Sequence, residues 1–195
     1  MLRPVLVSPS TSLLLVTLAD AKTHLKVDFT DDDALITALI VAAESFLDSY
    51  SGIVGRALLT QTWSQAYDSF YARMKLRIGI VSSVTSVSYY DVNNVQQTLA
   101  TSVYQLLTDD LGSYVSLKPL QLWPLTFTRD DAITITWVAG YGGTASTVPT
   151  AIIIAMKMFV AHWYEFRGII LADRRLEQVP LAAMALLEPF KRTSL

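Results

Sequence analysis

Apolar residues recur every three or four positions near the start of the chain, a spacing typical of amphipathic helices. The stretch Thr17-Leu-Ala-Asp20 resembles a capping box and predicts a short helix that ends at about Lys26. The Thr17 hydroxyl is expected to accept a hydrogen bond from the amide near Asp20. The helix dipole favours the Asp20 carboxylate at this end.

A second and longer helix is predicted after Thr30, which offers the same type of cap. Aspartates at positions 31–33 occupy its first turn, where negative charge is stabilising. We expect the helix to end at Gly52 or Gly55, because glycine tolerates the left-handed conformation at helix ends. The apolar stripe consists of Leu35, Ile36, Leu39, Ile40, Ala43, Phe46, Leu47 and Tyr50.

From about residue 58 to 141 the hydrophobic period changes from helical spacing to two, which predicts half-buried strands. An Asn-containing turn at 91–94 indicates a hairpin, because Asn tolerates positive φ. The expected strands are 59–67, 76–80, 84–90, 95–99, 104–107, 114–117 and 132–138.

Helical character returns after Pro149, a residue that fits the first turn of a helix. The helix predicted to end at about Phe166 is apolar on nearly every side. Its own subunit can cover some of these sides, and a neighbouring subunit can cover the others. A polar link follows Gly168. Pro180 then starts a last short helix at 181–187.

This order predicts an α+β fold, with a helical bundle formed by both ends of the chain and an inserted antiparallel β module, a sandwich or small barrel. We divide the chain into an N-terminal arm (1–16), a helical half (17–55), the β module (56–143), a second helical half (144–167) and a C-terminal tail (168–195). The tail is expected either to become ordered when it binds a partner or to complete the helical bundle.

The composition excludes several kinds of protein. The 195 residues contain no Cys, which excludes disulfides, thiolate metal sites and Cys catalysis. The net charge of −2 provides no overall positive field that would bind DNA. Hydrophobic residues reach 52% and charged ones only 16%. We therefore expect another chain to cover part of the apolar surface. Neither a membrane span nor a signal peptide is predicted.

Few residues suggest chemistry. His162 and Glu165 share one helix face, a spacing that di-metal bundles use, but the motif occurs once and further ligands are missing. We interpret His162 as a structural or interface residue. No cofactor or metal is predicted, and the absence of a Gly-x-Ser-x-Gly elbow leaves a hydrolase as the weakest alternative.

Two other motifs have ordinary explanations. The aspartates at 31–33 lack the glycine and distal glutamate of a calcium loop, so we expect a charged helix turn. Gly140-Tyr-Gly-Gly143 is not followed by Lys-Ser or Lys-Thr and is therefore no phosphate loop. It is interpreted as a flexible exit from the β module.

Charge is unevenly distributed along the chain. Residues 17–50 contain seven acids and two lysines, whereas residues 157–195 contain six bases and four acids. These opposite ends either attract within one bundle or join neighbouring subunits in a heterologous contact.

Seven segments, taken in order, carry a family resemblance. They are Leu18-Ala-Asp-Ala-Lys-Thr-His-Leu-Lys-Val-Asp28, residues 31–39, Gly55-Arg-Ala-Leu-Leu-Thr-Gln-Thr-Trp63, Ser83-Val-Thr-Ser-Val-Ser-Tyr-Tyr-Asp91, Ala139-Gly-Tyr-Gly142 with Val148-Pro149, His162-Trp-Tyr-Glu165, and Leu186-Leu-Glu-Pro189. Together they resemble the head-to-tail connector, or adaptor, family of tailed phages, prophages and gene-transfer particles. The additional Ile53 and Val54 and the lack of a Pro-rich start near Ile80 depart from the family pattern.

The resemblance implies a structural virion protein without catalytic residues, at the head-tail junction and, during assembly, in the host cytoplasm. Its implied partners are itself, in a ring of roughly a dozen copies, the portal protein, and a tail component such as a stopper or tail terminator. DNA would pass through without specific binding, and no membrane is involved.

The sequence also suggests which surfaces contact partners. Ile152, Met156, Phe159 and Trp163 are expected to face their own bundle, and the acidic second helix is assigned to the DNA passage, since acids do not retain phosphates. The predicted interface residues are Ile154, Met158, Ala161, Phe166, Arg167, Arg174, Arg175, Asp31, Asp32 and Asp33.

A β-module protein that binds carbohydrate or cell wall is the main alternative. Trp63, Tyr89, Tyr90 and Trp137 would then serve as stacking platforms. The alternation places at least Trp63 and Trp137 within strands, where core packing is the ordinary role of an aromatic side chain.

Overall fold

The structure, a computed structural model, describes residues 2–10, 15–166 and 180–192. These residues group into two compact units. The described part of the β unit comprises residues 2–10 and 56–141, and that of the helical unit comprises residues 15–55, 142–166 and 180–192.

The first helix, α1 (Leu18–Leu25), confirms the cap predicted from the sequence. The Asp20 amide donates to the Thr17 hydroxyl oxygen at 3.1 Å, and that hydroxyl donates to the Asp20 carboxylate at 2.7 Å. This hydrogen bond from Thr17 lowers the pKa of Asp20. The helix ends at Lys26, which adopts the left-handed conformation.

The second helix, α2 (Asp33–Leu47), differs from the prediction at both ends. Its N-cap is Asp32 rather than Thr30, whose carbonyl accepts from the Asp33 amide in a preceding turn. The helix ends five residues before Gly52. The chain then folds back so closely on this end that a Cβ at Gly52 would lie 2.1 Å from the Asp48 carbonyl oxygen.

Helices α3 (Thr150–Glu165) and α4 (Leu181–Leu187) complete the described helical unit. Helix α3 begins directly after Pro149 and α4 directly after Pro180, as the sequence predicted. Helix α3 contacts each of the other three helices. It is therefore the central element of this unit.

The β unit contains an open five-stranded antiparallel sheet. Its strands are β1 (Val5–Ser8), β2 (Gln61–Tyr67), β4 (Val81–Tyr90), β5 (Gln96–Thr98) and β8 (Ile133–Ala139). They lie in the order β1-β2-β8-β4-β5. Strands β4 and β5 form the predicted hairpin, in whose turn Asn94 has a φ of 60°.

A second antiparallel sheet consists of three strands, β3 (Met74–Lys75), β6 (Tyr104–Asp109) and β7 (Gly112–Leu117). They lie in the order β3-β7-β6. The predicted α+β class is thus confirmed. The described strands do not close into a barrel, because β1 and β5 remain the edges of the larger sheet.

Residues 5–8, within the predicted N-terminal arm, pair with β2 as an edge strand. One local prediction was wrong. Residues 76–80 do not form a strand, although Leu76 and Ile78 are buried as the alternation predicted. Alternating burial reports where side chains point, whereas a strand also requires a continued ladder of backbone hydrogen bonds, and the ladder with β7 ends after the Leu76 amide donates to the Ser113 carbonyl at 2.9 Å.

The core of the large sheet lies on one face of β2 and β8, where every second residue is buried. Trp63 and Trp137 are directly opposite each other across this pair. Trp137 is fully buried, and its indole nitrogen donates to the Ile78 carbonyl at 3.1 Å. The tryptophan thus supplies apolar area without leaving its donor unsatisfied.

Gly140, directly after β8, occupies a conformation that other residues rarely adopt. Its φ is +132°, and a Cβ there would lie 2.4 Å from the Leu59 carbonyl oxygen. The segment is therefore more than a flexible exit from the β module, because the packing against Leu59 leaves no room for a side chain at position 140.

We expect Gly140→Ala to lower the free energy of unfolding by about 2 kcal/mol or more, from backbone strain and the clash with Leu59. Gly143→Ala is the matched control, since a Cβ at Gly143 has no neighbour within 4 Å. We expect it to change stability by less than about 0.5 kcal/mol. Urea unfolding of both variants measures the difference, and equal values would contradict the steric explanation.

Candidate subunit interface

One face of α3 is covered by its own helical unit. Ile152, Ala155, Met156, Phe159 and Val160 are all buried. Phe159 also meets Phe46 of α2 edge-on, with ring centroids 5.3 Å apart. This face therefore belongs to the core of the subunit.

The opposite face of α3 is covered less completely. Ile154 remains 44% exposed, and Met158, Ala161 and Phe166 are only partly buried. All four were predicted as interface residues. Their exposure makes this face available to a partner.

An aromatic cluster extends from the core of the helical unit towards its surface. Trp163 lies 5.7 Å from both Phe159 and Phe46, measured between ring centroids. Trp163 is partly exposed, although we expected it to face the bundle, and Phe46 is exposed. This aromatic edge is therefore a second surface available to a partner. Aromatic side chains often contribute a large share of the binding energy at protein interfaces.

The acidic turn before α2 is largely engaged within the subunit. The Asp32 carboxylate accepts a hydrogen bond from the Tyr164 hydroxyl at 2.5 Å, and Asp33 pairs with Lys22 at 2.6 Å. Asp31 is exposed. Sequence spacing did not reveal the Tyr164 contact, because 132 positions separate the two residues.

Three predicted interface residues, Arg167, Arg174 and Arg175, lie outside the described residues. The proposed basic side of the contact therefore remains a prediction.

His162 and Glu165 are not arranged as a metal site. The His162 ring lies 5.0 Å from the Phe166 ring, between centroids, and Glu165 is exposed. Within the described part of the chain, no group of three or more metal-ligating side chains converges. The position of His162 against an aromatic ring fits a packing role.

The aromatic residues of the β unit do not form the stacking platform of the alternative hypothesis. Trp63 and Trp137 are buried in the core, so neither presents a face to a ligand. The guanidinium of Arg129 covers the Tyr90 ring at 3.8 Å. Of the four aromatics considered, three are thus occupied by the protein itself.

Burial changes the protonation equilibrium of Glu44 in the helical unit. Desolvation raises the pKa of Glu44 above the ordinary value of 4.5, although a hydrogen bond from the Leu15 amide, at 3.4 Å, acts in the opposite direction. The neighbouring charge of Asp48 also raises this pKa. The folded state therefore binds the proton of Glu44 more tightly than the unfolded chain does.

Because the pKa of Glu44 is raised in the folded state, its contribution to stability is lost as the pH rises from the unfolded value of 4.5 through the higher folded value. We expect Glu44→Gln, which keeps an acceptor for Leu15, to raise Tm by roughly 2 °C at pH 7. The gain should shrink at pH 4, where Glu44 is largely protonated in both states. Thermal unfolding at the two pH values measures this, with Glu165→Gln as the exposed control. A gain independent of pH would rule out the charge as its cause.

None of the described helices has the length and hydropathy needed to cross a membrane.

Comparison with known proteins identifies a similar family and similar solved structures. Residues 15–109, just under half of the chain, match the family model of the phage gp6-like head-tail connector proteins. No curated protein matches the chain.

Solved structures match nearly the whole chain. A chain from the neck of an empty gene transfer agent (GTA) particle, computed with C6 symmetry, aligns with a TM-score of 0.72 and 20% identity. Chains from the virion of the native particle and from its neck, computed with C12 symmetry, align with TM-scores of 0.67 and 0.66, also at 20% identity. Each alignment covers 97% of both chains. At this identity, the likeness establishes the fold.

The family match confirms the resemblance to the phage head-to-tail connector family, and it points to a structural protein rather than an enzyme.

Proposed function

We propose that this protein is a head-to-tail connector subunit that assembles as a ring of roughly a dozen copies beneath a portal. The ring joins the capsid to the tail, contacting the portal on one side and a stopper or tail terminator on the other, and DNA passes through it. Assembly takes place in the host cytoplasm, and the finished ring is part of the virion neck.

The observation that carries this proposal is the connector match over residues 15–109. The similar folds in GTA necks, computed with C6 and C12 symmetry, support a cyclic arrangement. In such a ring the same two surfaces of every subunit meet, so one modest contact is repeated until the circle closes.

The exposed face of α3 is proposed as part of the contact between subunits. Ile154 is a large apolar side chain left exposed on a helix whose opposite face is buried in the subunit core. Covering a side chain of this size contributes on the order of 1.5 to 3 kcal/mol when burial is complete. Repeated around a ring, such contacts outweigh exposed ion pairs, which contribute up to about 1 kcal/mol each.

The acidic second helix, together with the exposed acids that precede it, is proposed to keep DNA mobile. The described residues of the helical unit contain nine acids and five Lys or Arg residues, and Asp20, Asp28 and Asp31 are all exposed. A surface of this charge repels phosphates, whereas clustered bases would retain them. The helical unit is therefore suited to line the DNA passage.

Mass measurement across a range of concentrations, followed by electron microscopy with a purified portal protein added, tests the function. We expect rings, either free or templated by the portal. A chain that stays monomeric at every concentration and does not bind portal would contradict the proposal.

We expect Ile154→Asp to weaken ring formation about tenfold or more, because burying an unpaired charge in an apolar contact is costly. Leu111→Asp, at an exposed apolar residue in the turn between β6 and β7, is the control. Both variants should fold, which circular dichroism checks. If both assemble like the unmodified protein, the α3 face is not part of the interface.

A further inference from the structure

The loop between β7 and β8 exposes three large apolar side chains to solvent. Leu120 is fully exposed, and Leu122 and Leu125 are 85% and 80% exposed. An isolated exposed leucine is common on protein surfaces, but three within six residues need an explanation.

This loop is held in place rather than loose. The Trp123 ring stacks on Phe70, with centroids 4.4 Å apart and an angle of 7° between the ring planes. The Phe127 amide donates to the Tyr90 carbonyl at 3.0 Å, which attaches the loop to the end of β4. The tryptophan thus faces inward while the neighbouring leucines face solvent.

Two prolines restrict the loop further. Pro119 and Pro124 each precede one of the exposed leucines, and their rings limit φ to about −65°. A restrained loop loses little conformational entropy when it binds. The leucines are therefore already held in exposed positions before a partner binds, which favours their use as a binding surface.

A second apolar strip lies at one edge of the large sheet in the same unit. Among the described strands, β1 pairs with β2 alone, and Val5, Leu6 and Val7 are all exposed. Strand β5, at the other edge, carries only Gln96, Gln97 and Thr98. The apolar character of β1 is thus not a general property of the edges of this sheet.

An apolar edge strand is a hazard in a soluble protein unless something covers it. The loop has the matching chemistry, since residues 119–128 and residues 4–10 contain no charged side chain. Centres of protein interfaces are likewise depleted of charge. A contact between these two surfaces would bury apolar area without desolvating an ion.

We propose that the leucine loop, residues 119–128, of one subunit packs against the β1 edge of the next subunit. This inference rests on the proposed ring, because a heterologous contact joins two different surfaces of the same chain and repeats around a circle. The occupant of the β1 edge is thus a second copy, whose loop offers the three preorganised leucines. An ordinary interface buries about 800 Å² per partner, so this contact forms one part of a larger one.

The chain offers a direct test because it contains no Cys. The double variant Val7→Cys with Leu122→Cys should, on mild oxidation of the assembled protein, give a ladder of disulfide-linked multimers on a non-reducing gel. Each single variant should give dimers at most. The pair Val92→Cys with Leu122→Cys is the control, since Val92 and Val7 are both 57% exposed.

Substitution by aspartate provides a second measurement on the full chain. We expect Val7→Asp and Leu122→Asp each to weaken self-association about tenfold or more, and Val92→Asp to weaken it less than about twofold. All three positions are exposed, so folding should be unaffected. Sedimentation across a concentration series measures the association.

The outcomes separate this contact from the proposed function. Rings that form normally, with no ladder from the Val7–Leu122 pair beyond the control, would overturn the loop contact and leave the connector function standing. A chain that neither assembles nor binds portal would overturn both. Equal effects of Val7→Asp and Val92→Asp on association would also refute the loop contact.

Discussion

The helical unit depends on the packing of one face of α3 against the three other helices. Met156 and Phe159 lie on this face and are essentially inaccessible to solvent. Several β-branched residues in α3 lower its intrinsic helix propensity, so this burial stabilises the helix more than local preference does. The hydrogen bond from Tyr164 to Asp32 links α3 to the start of α2 on the polar side of the same contact.

Packing on one face also determines what α3 leaves available. An amphipathic helix would present polar residues to solvent, but α3 presents Ile154. The same excess appears in the β unit, in the leucine loop and along β1. In both units the apolar surface that remains suits a protein that works as one member of an assembly.

The β unit follows a different constraint, in which backbone pairing decides where strands exist. The alternation in β2 and β8 buries a continuous face that includes Trp63 and Trp137. Where the ladder of backbone hydrogen bonds ends, as after Leu76, side chains can still alternate between core and solvent without forming a strand. Gly140 marks a similar limit after β8, since the carbonyl of Leu59 leaves no space for a side chain there.

By itself the sequence determined the α+β class, the Thr17 cap, the order of the helices, the β4–β5 hairpin and the family resemblance, because these depend on local spacing and short motifs. Only the tertiary structure decided the open sheets, the pairing of β1, the partner of Asp32 and the exposure of Leu120, Leu122 and Leu125. Each of these depends on contacts between residues distant in sequence, which no local pattern encodes. An exposed leucine and a buried one look the same in sequence, and only the surrounding packing distinguishes them.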